Sequence, residues 1–262
     1  MIAWLGEESA HDELVVGGKA ASLSRLAARF RVPSGFVATP ETDARAIADA
    51  YETLGCPRVA VRSSAVGEDG LDHSFAGQLE TFLNIAGTEA VVDAVARCRA
   101  SAESERVLDY LRQRGLGQTF VSVLVQELVE ADVSAVAFSV NPITKEADEV
   151  VINASIGLGE SIVGGLVTPD EIVVSKRSLA VVTYKVGSKE RMIVAADEGT
   201  LELEVPALLR NRPALAHEQA VEVAKLAVEL EDFTGHPVDV ECAFRGATLH
   251  LLQSRPITTL FH

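Results

Sequence analysis

Near the C-terminal end of the chain lies the sequence Asp239-Val-Glu-Cys-Ala-Phe-Arg-Gly-Ala-Thr-Leu-His-Leu-Leu-Gln-Ser-Arg-Pro256. Polar and apolar residues alternate over positions 239–244 and over much of 249–255, which is the pattern of half-buried strands. Arg245 and Gly246 separate the two alternating segments and mark a turn. The sequence therefore predicts two short strands that pair as a hairpin.

Four polar side chains of this hairpin are expected to come together. Because side chains alternate between the faces of a strand, Asp239 and Glu241 share one face. Gln253 and Arg255 share one face for the same reason. With the turn centred near Ala247, Glu241 lies opposite Gln253, and Asp239 lies opposite Arg255. Carboxylate and amide oxygens suit Mg²⁺, and the guanidinium fork suits phosphate oxygens. The patch is either a magnesium and phosphate site or an ordinary hairpin with an exposed cross-strand ion pair.

Length, charge and cysteine spacing narrow the class of protein. The chain has 262 residues, of which 48% are hydrophobic, which is enough for one large domain or two lobes. A net charge of −15 argues against nucleic-acid binding by a general basic surface. No apolar run approaches the length of a membrane span, and the acidic N-terminus lacks the basic start of a signal peptide. Three widely spaced cysteines, Cys56, Cys98 and Cys242, predict neither a disulfide framework nor a zinc site and favour the cytoplasm.

An acidic chain that binds an anion must place its few cations locally, and two motifs do so. Gly17 and Gly18 precede a helical pattern that contains Lys19, so free backbone N–H groups lie beside a mobile positive charge. A loop followed by a surface helix is the alternative. Arg62 lies in a buried type of strand at 59–65, where arginine is rare without a partner. We expect Arg62 to contact phosphate, and a structural ion pair is the alternative.

Two glycine-containing segments have the composition of loops beside a ligand. Residues 67–84 contain small residues around Gly77 and then alternate into a strand, so their backbone N–H groups could cover phosphates. A plain hairpin turn is the alternative. Residues 156–165 are rich in glycine and carry Glu160, which is typical of a turn beside a ligand or of a simple connector.

Strand and helix patterns are mixed along the chain and favour antiparallel sheets, which predicts an α+β fold. Long helices are predicted at 41–54, 88–114 and 213–234. Besides the hairpin, strands are predicted at 59–65, 121–129, 133–140, 149–154, 171–175, 179–186 and 190–195.

With its motifs in this order, the chain resembles the ATP-binding domain of the phosphoenolpyruvate synthase and pyruvate phosphate dikinase family, which includes rifampin phosphotransferase. The resemblance covers nearly the whole chain. The matching motifs are Gly17-Gly-Lys-Ala20, Val32-Pro-Ser-Gly-Phe-Val37, Val61-Arg-Ser-Ser-Ala65, Ser74-Phe-Ala-Gly-Gln78 through Thr81 and Asn84, Val125-Gln-Glu-Leu-Val129, Ser139-Val-Asn-Pro-Ile-Thr144, Gly157-Leu-Gly-Glu160, Val167-Thr-Pro-Asp170, Asp239-Val-Glu241 and Leu252-Gln-Ser-Arg-Pro-Ile-Thr258.

The resemblance implies an ATP-grasp-like fold, with ATP held between two α+β lobes at 1–120 and 121–262. In the first lobe, Lys19 and Arg62 would contact phosphates. A loop around Gly77 and Gln78 would cover the triphosphate, followed by Thr81 at the same site.

The second lobe would hold the adenine and the metal. The stretch Gln126-Glu127-Leu128-Val129 would form the adenine hinge through backbone groups. Glu241 and Gln253 would bind Mg²⁺, and Arg255 would stabilise the transferring phosphoryl group. The catalytic residues would be Lys19, Arg62 and Arg255.

The chain departs from the family pattern in two places. Members usually carry a longer helical insertion between the strands at 36–39 and 61–64, where only one helix fits here. The family's swivelling domain carries a phosphorylated histidine in a Thr-Gly-Gly…Ser-His-Ala setting, and none of the six histidines of this chain has that setting.

The resemblance implies an enzyme that cleaves ATP to AMP and passes a phosphoryl group to a histidine carrier on a separate protein. Two alternatives stay open. A self-contained small-molecule kinase or ATP-grasp ligase would produce ADP. A non-enzymatic nucleotide-binding protein would bind ATP without turnover.

Overall fold

A computed structural model describes residues 1–67, 80–102 and 121–257 of the chain. The chain divides into two compact units, Met1–Leu128 with Ala196–Gly199, and Val129–Ala195 with Thr200–His262. Each unit contains strands and helices, so the predicted α+β class is confirmed. The division differs from the predicted lobes at 1–120 and 121–262, because the strand Val121–Glu127 is paired inside the first unit.

The first unit is built on a five-stranded antiparallel sheet with the strand order β1-β2-β5-β3-β4. Its strands are β1 (Ile2–Trp4), β2 (Gly35–Ala38), β3 (Val59–Ala65), β4 (Thr81–Ile85) and β5 (Val121–Glu127). Its helices are a 3₁₀ turn (Glu8–Ala10), α1 (Glu13–Val16), α2 (Gly18–Leu26), α3 (Ala44–Leu54) and α4 (Thr88–Ala102).

The two faces of this sheet have different surroundings. On one face, Val61 of β3 lies in a buried apolar cluster with Val95 of α4. Since successive residues of a strand face opposite sides, Arg62 and Ser64 lie on the other face. There, the N–H of Ala20 in α2 donates to Ser64 Oγ at 3.1 Å. Helix α2 and Arg62 therefore lie on the same side of the sheet.

The second unit contains a six-stranded antiparallel sheet with the order β13-β12-β6-β7-β8-β9 and a separate two-stranded sheet, β10-β11. Its strands are β6 (Val133–Phe138), β7 (Glu149–Ile156), β8 (Asp170–Ser175), β9 (Val181–Lys185), β10 (Arg191–Ala195), β11 (Thr200–Glu204), β12 (Val238–Arg245) and β13 (Thr248–Pro256). Its helices are α5 (Glu160–Val163), α6 (Ala207–Arg210) and α7 (His217–Thr234).

Helix α7 packs on the six-stranded sheet and begins later than predicted. The sequence pattern starts at Pro213, whereas α7 starts at His217. Asp170 Oδ2 accepts the N–H of Ala214 at 2.6 Å, and Tyr184 Oη accepts the N–H of Leu215 at 3.2 Å. These tertiary bonds hold the segment before α7 outside the helix.

Other predicted elements agree with the structure, with shifted ends. The helix predicted at 41–54 is α3, whose first turn is capped by Asp43 Oδ1 accepting the N–H of Ala46 at 2.8 Å. The helix predicted at 88–114 is α4 as far as Ala102, and its continuation lies outside the described residues. Within the described ranges, no helix is long and apolar enough to cross a bilayer.

An ion pair with both side chains fully buried lies inside the second unit, between Asp170 at the start of β8 and Lys189. The same carboxylate accepts hydrogen bonds from the N–H of Gly187 at 2.9 Å and from Tyr184 Oη at 3.0 Å. A buried charge without a partner is strongly destabilising, and these bonds satisfy the carboxylate oxygens. Asp170 thus fixes the loop after β9 and, through Ala214, the approach to α7.

We expect Lys189→Met to lower the free energy of unfolding by about 3–5 kcal/mol, because it leaves the Asp170 carboxylate buried and unpaired. The matched control is Lys185→Met, which removes the pair with Glu171, whose side chains are 69% and 42% exposed. An exposed pair contributes less than about 1 kcal/mol. Urea denaturation of both variants measures the difference, and equal losses would contradict the structural role given to Asp170.

Candidate functional site

The hairpin formed by β12 and β13 has the two pairs that the sequence predicts, although the pairs nearer the turn are shifted by one residue, since the turn is centred between Gly246 and Ala247. Asp239 is directly opposite Arg255, and Glu241 is directly opposite Gln253. The β-carbons of directly opposite residues lie about 4.5–5.5 Å apart, so each pair is within reach of a shared ligand or of each other. The predicted gathering of four polar groups on one face is therefore confirmed.

A bulge at Leu252 makes this register possible. Cys242 is paired with Leu251, whereas the next residue back, Glu241, is paired with Gln253, so Leu252 is the extra residue. In an unbroken ladder from Cys242–Leu251, Glu241 would face Leu252 and Gln253 would point to the apolar face. A β-bulge resets the alternation and re-aims the side chains that follow it. The doubled apolar pair Leu251-Leu252 is the trace of this bulge in the sequence.

Asp239 and Arg255 form the cross-strand ion pair that the sequence left as one alternative. Arg255 Nε donates to Asp239 Oδ2 at 2.8 Å, and a second guanidinium nitrogen lies 2.7 Å from the same oxygen. The pair is not simply exposed, because Asp239 is only 7% exposed while the Arg255 side chain is 34% exposed. This geometry orients the guanidinium on the hairpin face.

Burial governs the ionisation of Asp239. Its pKa is raised above the ordinary value of 3.8, chiefly because burial disfavours the charged form. The nearby Arg255 guanidinium lowers the pKa and only partly offsets burial, while the Glu241 carboxylate raises it further. Burial thus favours the protonated form of Asp239, and the Arg255 guanidinium favours the charged form.

Glu241 and Gln253 have the chemistry expected of a magnesium site. Their oxygen donors are hard ligands of the kind Mg²⁺ takes, together with water and substrate phosphates. Glu241 is half-buried and Gln253 is 8% exposed, so both belong to a partly desolvated face. Among the described residues no group of three or more His, Cys, Asp and Glu side chains could hold a metal. The two residues fit Mg²⁺ as a pair completed by phosphate oxygens.

The motif around Lys19 is held tightly against β3 in the first unit. Gly17 precedes α2 with φ +81°, and a Cβ at this position would overlap the backbone carbonyl of Ser64. Ser64 Oγ in turn accepts the N–H of Ala20. Lys19, in the first turn of α2, is only 8% exposed. The requirement for glycine at position 17 therefore comes from close approach of two backbones.

Among the residues that the structure describes, Arg62 and Thr81 are the others predicted to lie at the phosphates. They are directly opposite each other on β3 and β4. Arg62 is half-buried and Thr81 is exposed. Both lie on the sheet face that carries α2, so the structure places Lys19, Arg62 and Thr81 on one side of the first unit. Gly77 and Gln78 lie outside the described residues.

The stretch predicted as an adenine hinge crosses the division between the units, since it runs from Gln126 to Val129. The N–H of Glu127 donates to Ser34 C=O at 2.8 Å, and the N–H of Leu128 donates to Arg58 C=O at 3.0 Å. These two N–H groups are engaged inside the chain. An adenine contact in this stretch must use other backbone groups.

Asp239 and Asn84 both have structural roles, of which the sequence left the ion pair of Asp239 with Arg255 as one alternative and predicted none for Asn84. Asp239 belongs to the predicted patch and holds Arg255. Asn84 belongs to a motif of the resemblance and, inside the first unit, donates to Ala196 C=O at 2.8 Å and accepts from Arg58 at 2.8 Å. Asn84 follows the alternating residues that begin at Thr81. This polar residue at the end of an alternating run is the only signal in the sequence for the hydrogen bonds that Asn84 makes with Ala196 and Arg58.

The sequence of this chain is similar to a described protein family and to several known proteins. A family model described as the pyruvate phosphate dikinase AMP/ATP-binding domain matches residues 38–261. A probable phosphoenolpyruvate synthase from Methanocaldococcus jannaschii is 36% identical in an alignment 318 positions long, which covers 99% of this chain and 27% of that protein. A rifampicin phosphotransferase from a Streptomyces species is 37% identical over 248 residues, which cover 93% of this chain and 28% of that protein.

The chain thus spans between a quarter and a third of the length of these two relatives. Among solved structures, the D-alanine–D-alanine ligase from Coxiella burnetii is similar with a TM-score of 0.43 and 10% identity, covering 95% of this chain and 50% of that chain.

We expect Gly17→Ala to disturb the Lys19 motif more than a positive φ alone explains. The control is Gly67→Ala, at φ +75°, where no atom of the residues that the structure describes lies within 4 Å of the added Cβ. A positive φ costs an alanine about 1–3 kcal/mol, and Gly17, with φ +81° and ψ 162°, lies in a region essentially restricted to glycine. Only Gly17→Ala adds overlap with a backbone carbonyl, so it should melt at a lower temperature and should expose Lys19 to amine labelling. Equal melting temperatures and equal labelling would contradict this packing.

We expect Asp239→Asn to change how stability depends on pH. Since the folded-state pKa of Asp239 is raised, its protonation stabilises the folded state fully below pH 3.8, and this contribution is lost as pH rises through the raised pKa. The stability of the variant relative to the parent should therefore rise with pH above 3.8 and then level off. Denaturation at a series of pH values measures it. A relative stability that falls with rising pH would show that Arg255 outweighs burial.

Proposed function

The chain belongs to the family of the pyruvate phosphate dikinase AMP/ATP-binding domain, and from this premise we propose that it is the ATP-cleaving component of a phosphotransferase. It binds Mg²⁺-ATP, cleaves it to AMP and passes a phosphoryl group to a histidine carrier on a separate protein. The observation that carries the proposal is the β12–β13 hairpin. Its register sets Glu241 and Gln253, the pair that we propose binds the metal, beside an oriented arginine.

The cations of the site have distinct tasks in this proposal. Lys19 and Arg62 bind phosphate oxygens from one side of the first unit. Arg255 neutralises charge on the transferring phosphoryl group, and Asp239 keeps its guanidinium in place. Phosphoryl transfer depends mainly on positioning and on neutralising charge, so a few oriented cations in a chain of net charge −15 suit it.

Glu241 and Gln253 would hold Mg²⁺ through one carboxylate and one amide oxygen. When bound, Mg²⁺ supplies charge neutralisation to the phosphate oxygens that it links to the protein. The half-buried position of Glu241 strengthens its interaction with a cation, because the local dielectric is lower than in water. Its neighbour Asp239 is engaged by Arg255, so Glu241 is the carboxylate of this hairpin face that would bind the metal.

In the proposed covalent step, a histidine of the carrier protein accepts the phosphoryl group from ATP. The bond between the β-phosphorus and the oxygen that bridges it to the α-phosphate breaks, and a bond forms between that phosphorus and an imidazole nitrogen of the carrier. AMP takes the bridging oxygen with its electron pair. The γ-phosphoryl group is transferred to water or to inorganic phosphate.

The histidines that the structure describes support a carrier outside this chain. His217 begins α7 and stacks on Tyr184 with ring centroids 6.0 Å apart. His250 is paired with Ala243 within the hairpin, and His236 contacts the carbonyl of Pro237 at 3.2 Å. Neither these three nor His11, whose backbone carbonyl accepts a hydrogen bond from Arg25 at 2.9 Å, has the flanking Ser and Ala of the carrier motif. The odd number of unpaired cysteines, all free thiols, supports the cytoplasm as the compartment.

We expect β-labelled ATP to transfer its label to the histidine of a carrier protein, with AMP as the nucleotide product. The assay mixes this chain with the Methanocaldococcus jannaschii relative from which the stretch matching this chain has been deleted. The label should be acid-labile, should need both proteins and should be lost with Arg255→Ala, because the transferring group then lacks its cation. Label from the γ position should leave as phosphate when water is the acceptor and as pyrophosphate when inorganic phosphate is the acceptor.

Two other results would contradict this proposal in different ways. Steady conversion of a small acceptor by this chain alone, with ADP as product, would indicate a self-contained kinase or ligase. ATP binding without turnover, with or without the carrier protein, would indicate a nucleotide-binding protein with no catalytic role.

A further inference from the structure

Strand β11 has only one neighbour in the described part of the chain. It pairs with β10 in a two-stranded sheet, and all five of its residues, Thr200–Glu204, are exposed. A strand edge of this kind offers unpaired backbone N–H and C=O groups to another chain. Natural proteins usually shield such an edge, so an unshielded edge indicates a place where another chain could pair.

The register identifies which backbone groups the edge offers. In an antiparallel pair, residues that exchange hydrogen bonds alternate with residues whose groups point outward. The N–H of Ala196 donates to Gly199 C=O at 3.0 Å, and the N–H of Val205 donates to Glu190 C=O at 2.9 Å. With the register Val194↔Leu201 and Met192↔Leu203, both leucines are bonded to β10. The outward groups therefore belong to Thr200, Glu202 and Glu204.

The side chains of this edge select the chemistry of a partner. Leu201 and Leu203 share one face and are 50% and 39% exposed, and Leu208 in the following helix is 79% exposed. An apolar face exposed beside an open strand edge is a frequent mark of an interaction site. The residues with outward backbone groups include two glutamates, with Asp197 and Glu198 in the adjoining turn.

Local charge at the hairpin is predominantly acidic. Arg191 donates a hydrogen bond to Glu202, and this bond together with the charges of Glu202, Glu204 and Glu190 raises the pKa of Arg191. Glu204 also pairs with Arg210 at 2.9 Å. Exposed ion pairs of this kind contribute little energy and exchange partners readily. Carboxylates outnumber guanidinium groups here, so a basic partner is favoured.

A second copy of this chain is a poor occupant. In an antiparallel pairing of two β11 edges, only the outward residues of each copy can exchange hydrogen bonds. That arrangement sets Glu202 or Glu204 of one copy opposite a glutamate or Thr200 of the other. Like charges directly opposite each other destabilise a sheet, and each copy has a net charge of −15.

We propose that β11 is a docking edge for an extended segment of a partner polypeptide in which basic residues alternate with aliphatic ones. The segment adds a third strand to the β10–β11 sheet. Its basic side chains lie opposite Glu202 and Glu204, and its aliphatic side chains extend the face formed by Leu201 and Leu203. Backbone bonds at such an edge provide affinity, and the alternating side chains provide specificity.

The probe is a fluorescein-labelled peptide, Ac-KVKVKVK-NH₂, measured by fluorescence anisotropy at low salt against the control Ac-EVEVEVE-NH₂. Two variants separate charge from backbone. Glu202→Gln removes the charge and keeps the outward N–H, whereas Glu202→Pro removes both. Proline is tolerated where a strand N–H points to solvent, so the hairpin should be retained. Thr200→Pro tests a second outward position.

We expect the basic peptide to bind and the acidic peptide not to bind. Glu202→Gln should weaken binding a few-fold, and Glu202→Pro and Thr200→Pro should weaken it at least about tenfold beyond Glu202→Gln, with unchanged melting temperature. Failure of the basic peptide to bind, or equal binding to Glu202→Gln and Glu202→Pro, would overturn the proposal. This result is independent of nucleotide cleavage.

Discussion

The pairing of β12 with β13 is the constraint on which the candidate site depends. Two strands of one sheet can bring four polar side chains to one face only if their register is fixed, and here a single extra residue, Leu252, fixes it. The bulge keeps Leu251 in the core while Gln253 and Arg255 turn to the opposite face. A functional arrangement is thereby built on regular strands, where backbone hydrogen bonds hold side chains more firmly than a loop would.

Charge is the second constraint, because an acidic chain must keep its cations available. Two of these cations, Lys189 and Arg255, lie in different surroundings. Lys189 is sealed in the core with Asp170, where it stabilises the loop after β9 and serves no ligand. Arg255 is held by a buried carboxylate yet keeps a third of its side chain exposed. Burying the acid and exposing the base is an arrangement that suits anion binding, since the cation is oriented before the anion arrives.

Much of the architecture was predictable from the sequence because alternation and turn residues act locally. The facing pairs of the hairpin and the long helices α3 and α7 were found in this way. Tertiary contacts determined what local patterns missed. Bonds from Asp170 and Tyr184 delay α7, and pairing with β2 and β3 draws β5 into the first unit. The short strand β11 was missed although its residues alternate, because glutamate is uncommon in strands, and the engaged N–H groups of Glu127 and Leu128 depend on distant carbonyls.

The central claim is that Glu241 and Gln253 form a metal-binding pair for ATP, and its most direct test is the effect of Mg²⁺ on ATP affinity. Calorimetric titration of the parent protein and of Glu241→Gln, each with and without Mg²⁺, isolates that effect. Glu171→Gln, on the same sheet with an exposed carboxylate, is the control. The account predicts that Mg²⁺ strengthens ATP binding in the parent and in the control but not in Glu241→Gln. An unchanged Mg²⁺ effect in Glu241→Gln would contradict it.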